Sequence, residues 1–165
     1  MFIRLGLAWS VAGILTIAAI FWPVQVVTVT LPKEDNRTLS INRIHSDDLI
    51  RFSYRHSVEL TRVEGRFQVT KDTELVAVDT RMESVGTGLP DTHADRTIMK
   101  NGWLVVDEHR KPVGTLRFFV VPINEVQLTI ADQPIDLSGL KSGTLIQVSA
   151  EKRRWGAWLW YSVWN

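Results

Sequence analysis

The densest run of reactive side chains is Arg51-Phe52-Ser53-Tyr54-Arg55-His56-Ser57-Val58-Glu59-Leu60-Thr61. Neighbouring His56 and Ser57 suggest a base beside a nucleophile, since a serine hydroxyl is activated only by a base within hydrogen-bond reach. A strand, however, points successive side chains to opposite faces. Phe52, Tyr54, His56 and Val58 would then share an apolar side, and Ser53, Arg55, Ser57 and Glu59 a polar one. His56 is therefore expected as a buried histidine held by a hydrogen bond. No G-x-S-x-G turn offers another serine a base, and no catalytic residue is assigned. The run that follows, Thr61 to Val69, returns as a hairpin partner, with Glu64 diagonal from Arg55 on the polar side. Two readings stay open there: a solvated sheet face, whose pairs contribute ~0.2–1 kcal/mol, or a contact surface made by Arg55, Glu59, Glu64 and Arg66.

A second segment is Ser84-Val85-Gly86-Thr87-Gly88-Leu89-Pro90. Glycines two apart let N–H groups converge into an anion-binding nest. A dinucleotide fingerprint would need a third glycine, a preceding parallel strand and a following helix; Pro90-Asp91 follows instead. A tight structural loop is expected. Asp91-Thr92-His93-Ala94-Asp95 offers three potential ligands without a second His-rich group, so no metal site is assigned. His45 and His109 fall in polar loops without a partner, and Asn36-Arg37-Thr38 fits a glycosylation sequon.

The elements that must carry these residues are strands. Val27, Val29 and Leu31 alternate with Thr28 and Thr30 in Gln25–Leu31. Further runs are Thr38–Ile44, Leu49–Val58, Val63–Thr70, Glu74–Met82, Ile98–Val106, Thr115–Val121, Val126–Ile130 and Leu145–Ala150. Turns fall at Lys71-Asp72-Thr73, Asn101-Gly102, Lys111-Pro112, Asp132-Gln133-Pro134 and Lys141-Ser142-Gly143, with Asn101-Gly102 the best hairpin turn. The pattern predicts an all-β sandwich or partly open barrel of about eight or nine short, mostly antiparallel strands. No helical period of ten or more residues stands out beyond the amino-terminal segment.

That segment carries no charged side chain from Leu5 to Pro32. Phe2–Trp22 is long enough for a helix that crosses a bilayer, which needs about 20 apolar residues, and Pro23 would stop it. A cleaved signal peptide is the rival, but Ile20-Phe21-Trp22-Pro23 is a poor cleavage site after Ala18-Ala19. Residues 1–23 are read as an uncleaved transmembrane anchor, 24–154 as the β domain and 155–165 as a tail. Arg4 favours a cytoplasmic amino terminus, which puts the domain outside.

The chain has 165 residues, with 19 Lys+Arg against 18 Asp+Glu, for a net charge of +1. No basic field invites nucleic acid, and the absence of cysteine excludes disulfides and thiolate metal sites. Of seven tryptophans, all but Trp103 lie near the two ends. In the tail, Glu151-Lys152-Arg153-Arg154 runs into Trp155, Trp158, Trp160 and Trp164. Arg153, Arg154 and these rings suit a membrane or protein interface. The alternative is a last core strand with Trp158, Trp160 and Ser162 on one side.

Three motifs in order carry a resemblance: Tyr54-Arg55-His56-Ser57-Val58; Thr61-x-Val63-Glu64-x-x-Phe67-x-Val69; and Ser84-x-Gly86-x-Gly88-Leu89-Pro90. Across about residues 48–130 the chain resembles a bacterial domain family of unknown function found beside, or fused to, the permease of TAXI-type TRAP (tripartite ATP-independent periplasmic) transporters. Val85 and Thr87 depart from that family's aromatic and alanine. The resemblance implies a small accessory subunit with its all-β domain on the periplasmic side; together with the expected anchor and tail, this makes the chain a non-enzymatic, single-pass inner-membrane accessory subunit. Its partners would be the permease, its solute-binding protein and membrane lipid, with no cofactor. Tyr54, His56, Ser57, Glu64, Gly86, Gly88 and Pro90 are the matching positions; with Arg55 and Ser84 they form the candidate ligand or partner contact. The alternatives are a periplasmic small-ligand or anion-binding module built on His56, Arg55 and the Gly86–Gly88 loop, and an envelope hydrolase, which needs a serine hydrogen-bonded to a histidine.

Overall fold

A computed structural model describes residues 20–84 and 95–164. In chain order its elements are β1 (Pro23–Leu31), β2 (Arg37–Arg43), β3 (Ile50–Arg55), β4 (Arg62–Val69), β5 (Leu75–Met82) and β6 (Thr97–Lys100). There follow β7 (Trp103–Pro112), β8 (Leu116–Phe119), a 3-10 turn (Pro122–Asn124), β9 (Gln127–Ile130), β10 (Gln133–Pro134), β11 (Leu145–Arg154) and helix α1 (Trp155–Trp164). The strands make a four-stranded sheet, β2-β1-β11-β8, and a seven-stranded sheet, β10-β9-β3-β4-β5-β7-β6. Every strand pairing is antiparallel.

The two sheets bury their facing sides against one another. Val27, Val29 and Leu31 of β1 join Ile146 and Val148 of β11, Ile50 of β3 and Leu128 and Ile130 of β9 in one core. Each such side chain, fully withdrawn from water, contributes about 1.5–3 kcal/mol. The alternation in β1 therefore sets the inner face as expected. Its other face is not simply polar: Val24 and Val26 are also buried there, under α1. Thr28 is buried on that side too, its hydroxyl donating to the Glu151 carboxylate.

Three expectations about elements need correction. The tail is a helix lying on the outside of the four-stranded sheet, not a core strand. Strand pairing does not stop before Lys111-Pro112. Positive φ at His109 (51°) and Arg110 (56°) makes a bulge, after which Lys111 pairs with Ala77 and Pro112 with Val76. The run Leu49–Val58 ends as a strand at Arg55. The Asn101-Gly102 turn does form, with φ of 53° and 82° between β6 and β7.

The strands give the domain two distinct ends. At one, the start of β1 pairs with the end of β11, Pro23 opposite Arg154. The Gln25 side-chain amide there donates to the Thr70 and Lys71 carbonyls, at 2.7 and 3.1 Å, bringing the β4–β5 turn alongside. At the other end lie the β3–β4 turn, the Asn101-Gly102 turn and the 3-10 turn. Among the described residues no helix is long and apolar enough to cross a membrane. The expected anchor falls outside the described residues except for Ile20, Phe21, Trp22 and Pro23, the last of which begins β1.

Candidate functional site

The motif around His56 sits in the β3–β4 turn. The His56 N–H donates to the Thr61 carbonyl and the Leu60 N–H to the His56 carbonyl, both at 2.8 Å. The Glu59 N–H donates to His56 Nδ1 at 3.3 Å. The imidazole thus accepts a backbone bond inside its own turn, which assigns the proton of the neutral ring to Nε2. His56 is half-buried in a turn rather than buried in a strand. Its expected hydrogen bond exists; its expected position does not. The cause is Leu60, whose φ of 55° reverses the chain where its residue type signals no turn. Ser57 is exposed, and among the described residues no serine hydroxyl is hydrogen-bonded to a histidine ring. Val58 and Leu60 stand 72% and 65% exposed at the tip, at the same end as Ile123 of the 3-10 turn.

Tyr54 lies on the inner side beside Phe52, ring centroids 5.7 Å apart, and burial pushes its phenol above the usual range. The outer side of the same strands is charged. Arg51 lies opposite Arg66, Ser53 opposite Glu64 and Arg55 opposite Arg62. Like charges directly opposite oppose pairing, and Arg51, Arg55 and Arg66 are each drawn to an acid elsewhere. Arg55 Nη1 reaches Glu125 Oε1 at 3.0 Å, and Arg51 Nη2 reaches Asp132 Oδ1 at 2.6 Å. Arg66 grips Asp79 through two bonds, Nε to Oδ1 at 2.6 Å and Nη2 to Oδ2, while Arg81 Nε lies 3.4 Å from the same carboxylate. The bond to Asp79 raises the Arg66 pKa against partial burial, and Glu64 adds a smaller attraction. Glu64 is therefore diagonal from Arg55, as the hairpin requires, but the ion pair of Arg55 goes to Glu125.

Ser84 follows β5, half-buried, and the neighbouring Glu83 carboxylate accepts the Arg62 N–H at 2.8 Å. Gly86, Gly88 and Pro90, with His93, lie outside the described residues. His45 has a partner after all: its N–H donates to Asp48 at 2.7 Å and its ring lies 3.3 Å from the same oxygen. His109 is in the β7 bulge rather than a loop, with its N–H on Asp107 Oδ1 at 2.7 Å. Among the described residues no group of three or more His, Cys, Asp or Glu could hold a metal ion. An apolar cavity of about 400 Å³ opens beside β9 and the 3-10 turn, lined by Val126, Leu128, Leu137 and Leu140. None of the motif residues lines it.

The opposite end is aromatic. The Trp155 N–H donates to the Trp22 carbonyl at 2.9 Å, and the Arg154 guanidinium sits over the Phe21 ring, 5.0 Å from its centroid. Gly156 lets α1 approach closely, since a Cβ there would lie 2.7 Å from Ile20 Cγ2. Trp155, Trp158 and Tyr161, one helical turn apart, pack on Val24, Val26 and Ile41. Trp158 Nε1 is buried there without an acceptor. Arg153 turns back to Glu151 at 3.0 Å. Trp22 and Trp160 remain 69% exposed, Lys152 and Arg154 at the end of β11 are exposed as well, and Trp164 closes the helix. The sequence placed the tail residues at an interface but missed their pairing with Ile20–Trp22. Gly156 within an aromatic run was the available signal. Trp103, half-buried on β7, belongs to the domain itself.

A family model described as a domain of unknown function, DUF1850, matches residues 50–137. Neither a curated protein nor a solved structure matches the chain.

Proposed function

We propose that this chain, which belongs to the DUF1850 family, is a non-enzymatic, membrane-anchored accessory subunit of a TAXI-type TRAP secondary transporter. The observation that carries the membrane half of this reading is the union of the two chain ends. Ile20–Trp22 and α1 are bonded into one foot with exposed Trp22 and Trp160 rings, and the exposed Arg154 guanidinium sits over its Phe21 ring. Rings with wet indole edges next to cations are what a bilayer surface favours. The apolar residues that precede Ile20 would then enter the membrane at the foot and leave the β domain outside it.

The transporter half rests on the ordered motifs Tyr54–Val58, Thr61–Val69 and Ser84–Pro90. The first two meet at the end farthest from the foot, where Val58, Leu60 and Ile123 are exposed. A subunit built this way holds the membrane with one end and offers the other to the permease or its solute-binding protein. The small-ligand alternative would need the imidazole of His56 to face a ligand, whereas its Nδ1 braces the turn.

Extraction of the tagged full chain in mild detergent, from cells that also express the permease, tests the reading. The permease is expected to co-elute at a constant ratio. Elution of the chain as a lone monomer, with the permease in the unbound fraction, would refute it.

A further inference from the structure

The outer face of the larger sheet carries a second polar cluster, at the Asn101-Gly102 hairpin. The register puts Arg81, Val105 and Ile98 in one cross-strand row, and sets Trp103 directly opposite Lys100 in the next. Alternation places all five on the side of Asp79, away from buried Met82 and Val106. Arg81, Lys100, Asn101, Trp103 and Val105 line a cavity of about 230 Å³ there, and no carboxylate lines it.

The two cations of this cavity are not spent within the fold. Arg66 holds both oxygens of Asp79, which leaves Arg81 only a 3.4 Å ion contact through Nε. That Nε is buried without a hydrogen-bond partner in the protein, although buried donors are nearly always paired. The Arg81 side chain as a whole is 30% exposed. Glu64 lies opposite Arg81 on β4 but forms no ion pair with it, and exposed Lys100 has no acidic partner among the described residues. Trp103 stands beside Lys100 and diagonal from Arg81. It is half-buried yet joins none of the hydrophobic clusters, and no described cation covers its ring.

We propose that this cavity binds a small organic carboxylate with a flat apolar body. The planar fork of Arg81 and the ammonium of Lys100 take the carboxylate, the Asn101 amide adds a donor, and the Trp103 indole stacks on the body. A volume of about 230 Å³ is below the ~300–1,000 Å³ of sites for drug-sized ligands, so the occupant is a single ring or a short chain. Charge selects a carboxylate over phosphate. Glu64, Asp79 and Asp107 share this face, and a phosphate dianion would meet more repulsion from them than a single negative charge does. The inference is independent of the proposed function, since it uses neither the aromatic foot nor His56.

The test follows the indole N–H resonances of the full chain, carrying isotope-labelled tryptophan, in an uncharged detergent. Trp103→Phe assigns the Trp103 signal. Benzoate, acetate and inorganic phosphate are titrated at constant pH and ionic strength. Benzoate is expected to shift the Trp103 signal saturably and to bind about ten-fold more tightly than acetate. Arg81→Lys keeps a positive charge beside Asp79 but loses the planar fork, and should weaken benzoate about ten-fold. Lys100→Gln changes an exposed position, so an unchanged thermal midpoint and weaker benzoate binding are expected together. A Trp103 signal that benzoate leaves in place overturns the proposal, as does binding unaltered in Lys100→Gln. Phosphate bound as tightly as benzoate overturns the choice of a carboxylate. Acetate bound as tightly as benzoate overturns the role given to Trp103.

Discussion

Asp79 is the carboxylate on which the outer face of the larger sheet depends. Its side chain is 9% exposed and faces both Arg66 and Arg81. Removing one member of a buried pair leaves a charge without compensation, which costs about 3–5 kcal/mol. Asp79→Ala is expected to lose stability on the lower side of that range, because Arg66 and Arg81 keep some contact with water; urea unfolding measures it. His56 makes a different kind of demand. Only an acceptor at Nδ1 is used, so His56→Asn should retain the turn and His56→Ala should lose about 1 kcal/mol in the same assay. A ligand role would instead require the imidazole, and Asn would not serve. Asp136 carries a pH dependence: bonds from the Ser138 hydroxyl and N–H hold its carboxyl below the usual value. A depressed folded value means the contribution is present above the ordinary carboxylate range and lost as pH falls through the folded value. Ser138→Ala should move the Asp136 titration, followed by carboxyl NMR, upward.

Among the elements, α1 offers the sharpest test of packing. In an isolated helix Gly156→Ala would gain about 0.5–1 kcal/mol. Here the new Cβ would meet Ile20 at 2.7 Å, and overpacking costs about 1–3 kcal/mol, so the variant is expected to be less stable. Adding Ile20→Ala should restore what Gly156→Ala loses; hydrogen exchange of the α1 amides follows both. The same element shows where sequence reasoning reached its limit. The strand β1 was legible because Val and Thr alternate along it. The Asn101-Gly102 turn was legible because both types accept positive φ. Helix α1 was not, because a helix buried on one side and apolar on the other has no polar stripe to mark its period. The β3–β4 turn was hidden for a related reason. Leu60 adopts a φ of 55° that the chain would ordinarily give to Gly or Asn, so the run looked like a strand through Val58. The bulge at His109–Arg110 extended β7 past Lys111-Pro112 by the same means.

On the scale of the molecule, the sandwich separates two unlike ends. The strands fix the aromatic foot at the start of β1 and end of β11, and carry the motif-bearing turns to the other end. That polarity was partly legible, since all the tryptophans but Trp103 cluster at the chain ends. Their joining through Trp22, Arg154 and Gly156 came only from the fold, since it depends on β1 and β11 being sheet neighbours. In the proposed arrangement, an end held at the membrane would leave the exposed Val58, Leu60 and Ile123 to reach a partner beyond it. The chain has no cysteine, so single labels can be placed without background. Spin labels at Trp22→Cys and Val58→Cys, in full chain reconstituted into bilayers, report relative accessibility to oxygen and to a water-soluble nickel chelate. The label at position 22 is expected to favour oxygen, and the label at position 58 the nickel chelate. Equal nickel accessibility at the two positions, or the reverse order, would contradict a molecule that stands on the membrane by its aromatic foot.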